Sequence, residues 1–295
     1  MKVYLDKKIP IIVLNYNDYQ TAKSFLLHFK RELADILELV FVDNHSTDGS
    51  YEKLYEEFSA LGKFIRNSEN MGYGKGNNVG LRFALESLKS KRVIIANPDI
   101  IIAKEAIYSL CEAMDKDTSV KLAAPKMLDE AGHEQVSAWK LQGVIRDGLS
   151  SMIITNRIFK LDKKLYSKEE LSKDRLYVEA INGSFFMADM EAFAGIGFFD
   201  EDTFLYCEEN IIGFRMKEKG YKELLLNSVS YIHAHNKTIG KIYSKKSKRY
   251  KILQESRKIY YRKCLKTGKF KLIIFSIMSA IGALERKLID KLPIR

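Results

Sequence analysis

The chain has 295 residues, 46% of them hydrophobic, which is enough for one large α/β domain, or for a domain of about 230 residues with a smaller appendage. Its formal net charge of +11 suits nucleic acid, an anionic membrane surface or a phosphate-bearing substrate. With no zinc-finger spacing, RNP-like run or helix-turn-helix signature beside that charge, no nucleic-acid partner is expected.

Met1 to Lys8 is short and charged, and the apolar run from Ile9 passes directly into polar Asn15, Tyr16 and Asn17. No signal peptide is expected, and the expected location is the cytoplasm. Ile9 to Leu14, Leu37 to Asp43, Gly62 to Arg66 and Arg92 to Ala96 read as strands. Thr21 to Ala34, Gly49 to Leu61 and Gly76 to Leu88 read as the helices between them, the second opened by a Ser-Thr-Asp-Gly cap signal. This alternation predicts a parallel sheet with crossover helices, a nucleotide-binding type of half-domain. Ligands of such sheets sit beyond the C-terminal strand ends, where the polar clusters Asn15 to Asp18, Asp43 to Asp48 and Asn97 to Asp99 fall.

A helix from Lys104 to Met114 comes next, followed by a polar, irregular stretch from Asp129 to Asp174 that holds the only tryptophan, Trp139, and suits a lid or substrate loop. Glu179 to Asp189 is strand-like, Glu208 to Lys219 helical, and Lys222 to Tyr231 a further strand. Much of the positive charge lies after Lys237, beside the uncharged run Leu272 to Leu284, which is shorter than the ~20 residues a bilayer span needs. That combination points to peripheral contact with an anionic membrane on its inner face, the other reading being a segment packed on the domain. Cys111, Cys207 and Cys264 are scattered without metal-ligand spacing, as reduced thiols would be.

Three clusters carry chemistry. Asp43 ends an apolar strand and is followed by small polar residues, so its carboxylate can take a pyrimidine N–H while helix-start amides meet ribose or phosphate; a plain Asx turn is the alternative. The stretch Asn67 to Leu85 is glycine-rich, with Gly72, Gly74 and Gly76 allowing close backbone approach to a ligand and Lys75 able to meet phosphate, but it is not a Walker loop. In Asn97-Pro98-Asp99, a lone carboxylate at a strand end can hold a hard divalent cation against a diphosphate, which makes Asp99 the metal candidate.

Taken in order, Tyr16-Asn17, Val42 to Ser50, Asn70 to Gly80, Asn97 to Asp99, Asn182-Gly183 and Gly197 to Glu209 resemble the motifs of the family-2 glycosyltransferases with the GT-A fold. The likeness is greatest to the rhamnosyltransferase-like branch of bacterial surface polysaccharide synthesis, and it covers roughly residues 9 to 240. It implies a Rossmann-like nucleotide-binding half (1–103) and an acceptor half (104–240) in one mixed, mostly parallel sheet, with residues 241–295 a basic and apolar helical extension. The resemblance also implies an inverting transfer of a hexose or rhamnose from a UDP- or dTDP-sugar to a glycan or lipid-linked acceptor, with Mn2+ or Mg2+ as cofactor.

Carried over by position, Tyr16, Asn17, Asp43, Asn44, Ser46, Gly72, Lys75, Asn78, Asn97 and Asp99 would bind the nucleotide-sugar, with Asp43 on the base. Glu209 would be the general base, with Glu208 its alternative or its tuning neighbour. Gly183, Ser184 and Trp139 would face the acceptor, and His233, one of two histidines with His235, would join Asp99 at the metal. Where the family often continues the acidic pair with an aspartate and leucine, this chain has Asn210, Ile211 and Ile212. Arg257 and Tyr261 share a helix face that is read either as solvated or as meeting a diphosphate. The rival readings are a catalytically inactive binding paralogue and a sugar nucleotidyltransferase. The second would carry a basic glycine-rich loop where Asn15 to Asp18 stands.

Overall fold

A computed structural model describes residues 7–161, 166–234 and 246–289. Strands β1 (Ile9–Asn15), β2 (Leu37–Asp43), β3 (Gly62–Arg66) and β4 (Arg92–Ala96) alternate with helices α1 (Tyr19–His28), α2 (Ser50–Phe58) and α3 (Tyr73–Phe83), as the apolar rhythm predicts. They pair in parallel in the order β3-β2-β1-β4, with Asn15 opposite Asp43 at the C-terminal edge. Helix α3 starts three residues before its expected position, so Gly74 and Gly76 lie inside it and not in a loop. The reason is close packing on the sheet: a Cβ at Gly80 would come within 2.6 Å of Ile12 Cγ2.

Beyond β4 the sheet reverses. After β5 (Ile100–Ile101), α4 (Lys104–Lys116) and β6 (Val120–Leu128), strand β10 (Phe185–Asp189) runs antiparallel between β4 and β6, and β11 (Lys222–His233) then runs parallel to β6. β5 and β8 (Arg175–Val178) pair antiparallel with β11, completing a nine-stranded mixed sheet. The stretch expected to be irregular contains short elements: β7 (Ala138–Trp139), which pairs with β9 (Ala180–Ile181), and helices α5 (Val144–Ser151), α6 (Ile153–Phe159) and α7 (Lys168–Leu171). None is long enough for its apolar period to show in the sequence.

Apolar residues fill both faces of the sheet. α1, α2 and α4 cover one face through Phe25, Leu54 and Leu110, and α3, α8 (Met190–Gly195) and α9 (Glu208–Glu218) cover the other through Leu81, Phe193 and Ile212. A third, smaller core joins α9 to the C-terminal helices α10 (Lys246–Lys263) and α11 (Lys269–Ile289) through Ile211, Tyr260, Tyr261 and Phe275. The three cysteines are buried and unbridged. The expected boundary at residue 240 lies outside the described residues.

Candidate active site

The β1 and β2 ends meet as one closed network. Asp43 is fully buried; its carboxylate accepts from the Ser46 backbone N–H at 2.7 Å, the Ser46 hydroxyl at 2.6 Å and Asn15 Nδ2 at 3.1 Å. Ser46 Oγ in turn accepts from the Asn17 N–H at 2.9 Å, and the Asn17 side chain caps the Thr47 N–H at 2.8 Å; Tyr16 between them is half-buried. Asn44 donates to Asn70 Oδ1 and Gly72 O and accepts from Asn67 Nδ2 and the Met71 N–H. In this conformation Asp43, Asn44 and Ser46 hold the β1 and β2 strand ends together, and Asp43 presents no open face to a base.

The glycine-rich segment serves packing more than ligand approach. Gly72 has φ +80°, and a Cβ there would lie 2.3 Å from Phe204 O, so it seals α3 against the loop that precedes α9. Asn78 does not line an open pocket: it is buried, donates to Phe199 O and Glu201 Oε1 at 3.0 Å, and accepts from the Phe199 N–H at 3.1 Å. Lys75, half-buried in the first turn, lies near Glu201.

The antiparallel register of β10 sets Phe185 opposite Ala96, so Asn182-Gly183-Ser184 enters beside Asn97-Pro98-Asp99, and the Asn97 N–H donates to Ser184 O at 2.8 Å. Tyr73 joins the two segments: its hydroxyl lies 2.7 Å from Gly183 O and 3.1 Å from Asn97 Oδ1. Burial and the nearby Glu209, Glu208 and Asp99 carboxylates push the Tyr73 phenol well above its ordinary range, so it remains a donor. Ser184 turns inward, 2.7 Å from the buried Tyr231 hydroxyl, so its side chain braces the site and does not face an acceptor.

β11 ends at His233, opposite Ile100, which brings His233 Nε2 within 3.0 Å of Asp99 Oδ1; both side chains are 9% exposed. A carboxylate oxygen and an imidazole nitrogen suit Mn2+ better than the all-oxygen shell Mg2+ prefers. Among the described residues no third His, Cys, Asp or Glu joins them, which leaves coordination positions for diphosphate oxygens and water. The donor set therefore fits a divalent metal whose remaining ligands come from outside the protein. His235 lies outside the described residues.

α9 opens with the acidic pair. Glu209 Oε1 accepts from the Gly183 N–H at 3.2 Å, and a Cβ at position 183 would sit 2.8 Å from that oxygen, so the glycine makes room for the carboxylate. Burial raises the Glu209 carboxyl, and burial together with Glu209 raises that of Glu208, whose Oε1 has no partner among the described residues. Asn210, at the departure from the family pattern, accepts from Trp139 Nε1 at 2.9 Å and holds the indole against the first turn of α9.

Sequence reasoning missed Glu223. This β11 residue is 3% exposed with neither carboxylate oxygen partnered among the described residues, and burial, then Glu209, push its carboxyl well above the ordinary range. A lone acid at the start of an apolar strand gives no sequence signal.

Arg257 and Tyr261 both turn to Asp147 of α5, Arg257 while partly exposed. Tyr261 is fully buried and donates to Asp147 Oδ2 at 2.7 Å, and Arg257 Nη2 lies 3.6 Å from Asp147 Oδ1. Asp200 and Glu201 of the Phe-Asp-Glu motif are clamps: Asp200 pairs with Arg215 and with Lys263 at 2.8 Å, and Glu201 pairs with Arg82. Burial pulls the Asp200 carboxyl up, but Lys263 and Arg215 outweigh it and hold the group below its ordinary value.

A family model described as glycosyl transferase family 2 matches residues 11–165. An N-acetylglucosaminyl-diphospho-decaprenol L-rhamnosyltransferase from Mycobacterium tuberculosis is 23% identical over 232 residues, 76% of this chain and 75% of its own length. The low-salt glycan biosynthesis hexosyltransferase Agl10 of Haloferax volcanii is 26% identical over 230 residues, 76% of this chain and 66% of its own. Among solved structures, GalNAc-T7 with UDP, GalNAc and Mn2+ aligns with a TM-score of 0.60 at 18% identity, over 78% of this chain but less than half, 44%, of that one. The mannosyltransferase PcManGT of Pyrobaculum calidifontis with GDP-Man and Mn2+ aligns with a TM-score of 0.57 at 17% identity, over 97% of this chain and 76% of that one.

Proposed function

Because the chain belongs to glycosyl transferase family 2 and has the GT-A fold, we propose that it is an inverting, metal-dependent transferase. It would pass a hexose or rhamnose from a UDP- or dTDP-sugar to a glycan or lipid-linked acceptor in surface polysaccharide synthesis. The observation that carries this reading is the continuous contact Asn97–Tyr73–Gly183–Glu209, which links one buried carboxylate to the segment that also holds Asp99, the partner of His233. The printed activities of the Mycobacterium and Haloferax relatives support the sugar class, and the first supports a lipid-linked acceptor.

In this reading Glu209 takes the proton from the acceptor hydroxyl as that oxygen bonds to the anomeric carbon and the bond to the nucleotide breaks. Burial suits it to the task, since a carboxylate with raised proton affinity is the stronger base. Glu208, its proton held by burial and by the Glu209 charge, stands beside the base as a neutral neighbour, Tyr73 holds the Asn97 and Gly183 segments in register, and Trp139 offers an aromatic face to the acceptor sugar. Asp43, Asn44, Ser46 and Asn17 keep the β1 and β2 ends preorganised around the nucleotide, and Tyr16 and Lys75 line the approach. A divalent cation held by Asp99 and His233 would neutralise charge developing on the departing diphosphate.

The test is thermal stabilisation by UDP, dTDP, GDP and CMP with and without Mn2+. At about a hundred times its dissociation constant the correct diphosphate adds ~2.7 kcal/mol. The expected result is a Tm rise that needs the metal and is lost in Asp99→Ala. No shift with any nucleotide would replace the transferase reading with that of an inactive binding paralogue.

A further inference from the structure

Helix α11 is built inside out. Toward the protein it turns Phe275, Ser279 and Gly282, and toward solvent Phe270, Ile273, Ile277, Ile281, Leu284 and Leu288, each between 45% and 75% exposed. Their spacing of three and four residues places all six in one stripe along the helix. Helix α6, packed on α11, extends the apolar surface with exposed Ile154, Ile158 and Phe159. A soluble monomer seldom leaves so many large apolar side chains contiguous in water, and such patches mark binding surfaces. No helix among the described residues is long and apolar enough to cross a membrane, so the stripe is suited to lying on one.

Charge identifies the occupant. Residues 241–295 hold seventeen Lys and Arg against three Asp and Glu, a net +14, so the preceding 240 residues are net negative within the chain's +11. Along one flank of the stripe, α10 and α11 enclose a cavity of about 510 Å³ lined by Lys251, Lys287 and Lys258, the last paired with Glu255 at 3.0 Å. Its lining includes Gln254, 5% exposed, whose Oε1 accepts from Ser279 at 3.2 Å while Nε2 has no partner among the described residues. Cationic ammonium groups above a spare amide donor suit a phosphate headgroup, and the neighbouring stripe suits acyl chains. A second copy of this chain fits poorly, because a symmetric contact through α11 would bring two +14 segments together.

We propose that α10 and α11, with α6, form a docking surface for a bilayer carrying anionic phospholipid: the stripe enters the acyl boundary and the groove takes a phosphate headgroup. The hairpin is bolted to the catalytic half by Lys263 on Asp200, Tyr261 on Asp147 and Ser256 on Leu205 O, so docking also sets the orientation of the cleft against the membrane. The proposal is independent of which sugar is transferred.

Flotation of the full chain with phosphatidylcholine vesicles, with and without phosphatidylglycerol, tests it. The wild type should float with the anionic vesicles, less so at high salt, and not with the neutral ones. Lys251→Ala and Lys287→Ala should each weaken binding about fivefold, and the double variant Ile277→Asp/Leu284→Asp should lose more than tenfold. These side chains face solvent, so melting temperature and nucleotide response should be unchanged, which separates failure of this proposal from failure of the transferase reading. Absence of binding to anionic vesicles, equal binding by the Ile277→Asp/Leu284→Asp variant, or a solution dimer that the same substitutions dissociate would each overturn it.

Discussion

The two sides of the proposed site, a donor side at the β1 and β2 ends and an acceptor side at the start of α9, use their polar residues in opposite ways. On the donor side Asp43, Asn44, Ser46 and Asn78 are buried with their main hydrogen-bonding capacity used within the protein. On the acceptor side Glu208 and Glu223 are equally buried yet have unpartnered oxygens, and Glu209 accepts from two backbone N–H groups, its own and that of Gly183. A satisfied network rigidifies, whereas an unpaired buried carboxyl costs stability and holds a proton more tightly. The donor side is thus a preorganised floor, and the acceptor side keeps under-partnered carboxyls at the expense of stability.

Glu209→Gln should break the acceptor side hardest, lowering kcat by about a hundredfold to ten-thousandfold while the Mn2+-dependent nucleotide response persists. Loss of nucleotide binding along with turnover would show that the two sides are not separable. In the wild type, the rise of kcat/KM with pH should lie above the ordinary carboxylate range, because burial raises the Glu209 pKa. Gly183→Ala pushes a methyl toward Glu209 Oε1 and should cost up to about a hundredfold in kcat by misplacing the base, with little change in KM for the donor.

On the donor side, Gly72→Ala meets both a positive φ and the Phe204 carbonyl and should destabilise the fold by about 3 kcal/mol in denaturant titrations. A near-neutral result would argue that this backbone has room and that the glycine serves a ligand instead. The smallest effect is expected at Glu223. Its folded pKa lies above the unfolded one, so the unfolded chain releases its proton first, and stability falls as pH rises past the ordinary glutamate range toward the folded value. Glu223→Gln should flatten that fall and add about 1 kcal/mol at neutral pH, as seen in Tm against pH. A loss of turnover with unchanged stability would instead make Glu223 part of the site.

Much of the N-terminal half of the sheet was legible because its signals are local. Apolar runs, cap residues and polar strand ends set β1 to β4 and their helices to within a few residues, the exception being α3, where glycines required by packing look like a loop. The acidic pair and the Asn-Pro-Asp turn also stood out, since each is a short string at the end of a predicted element.

What the amino-acid order by itself determined was the class of fold, the strand ends that carry chemistry and the basic, apolar character of the tail. Only the tertiary structure decided which of those residues meet. His233 reaches Asp99 across 134 positions and Tyr73 reaches Gly183 across 110, contacts set by the antiparallel register of β10 and the length of β11. It also decided which face of α11 looks outward. Leu272, Phe275 and Ile277 are all apolar in sequence, and only the packing of α5 and α10 against one side of the helix leaves the other bare, because burial belongs to the partner surface and not to the residue.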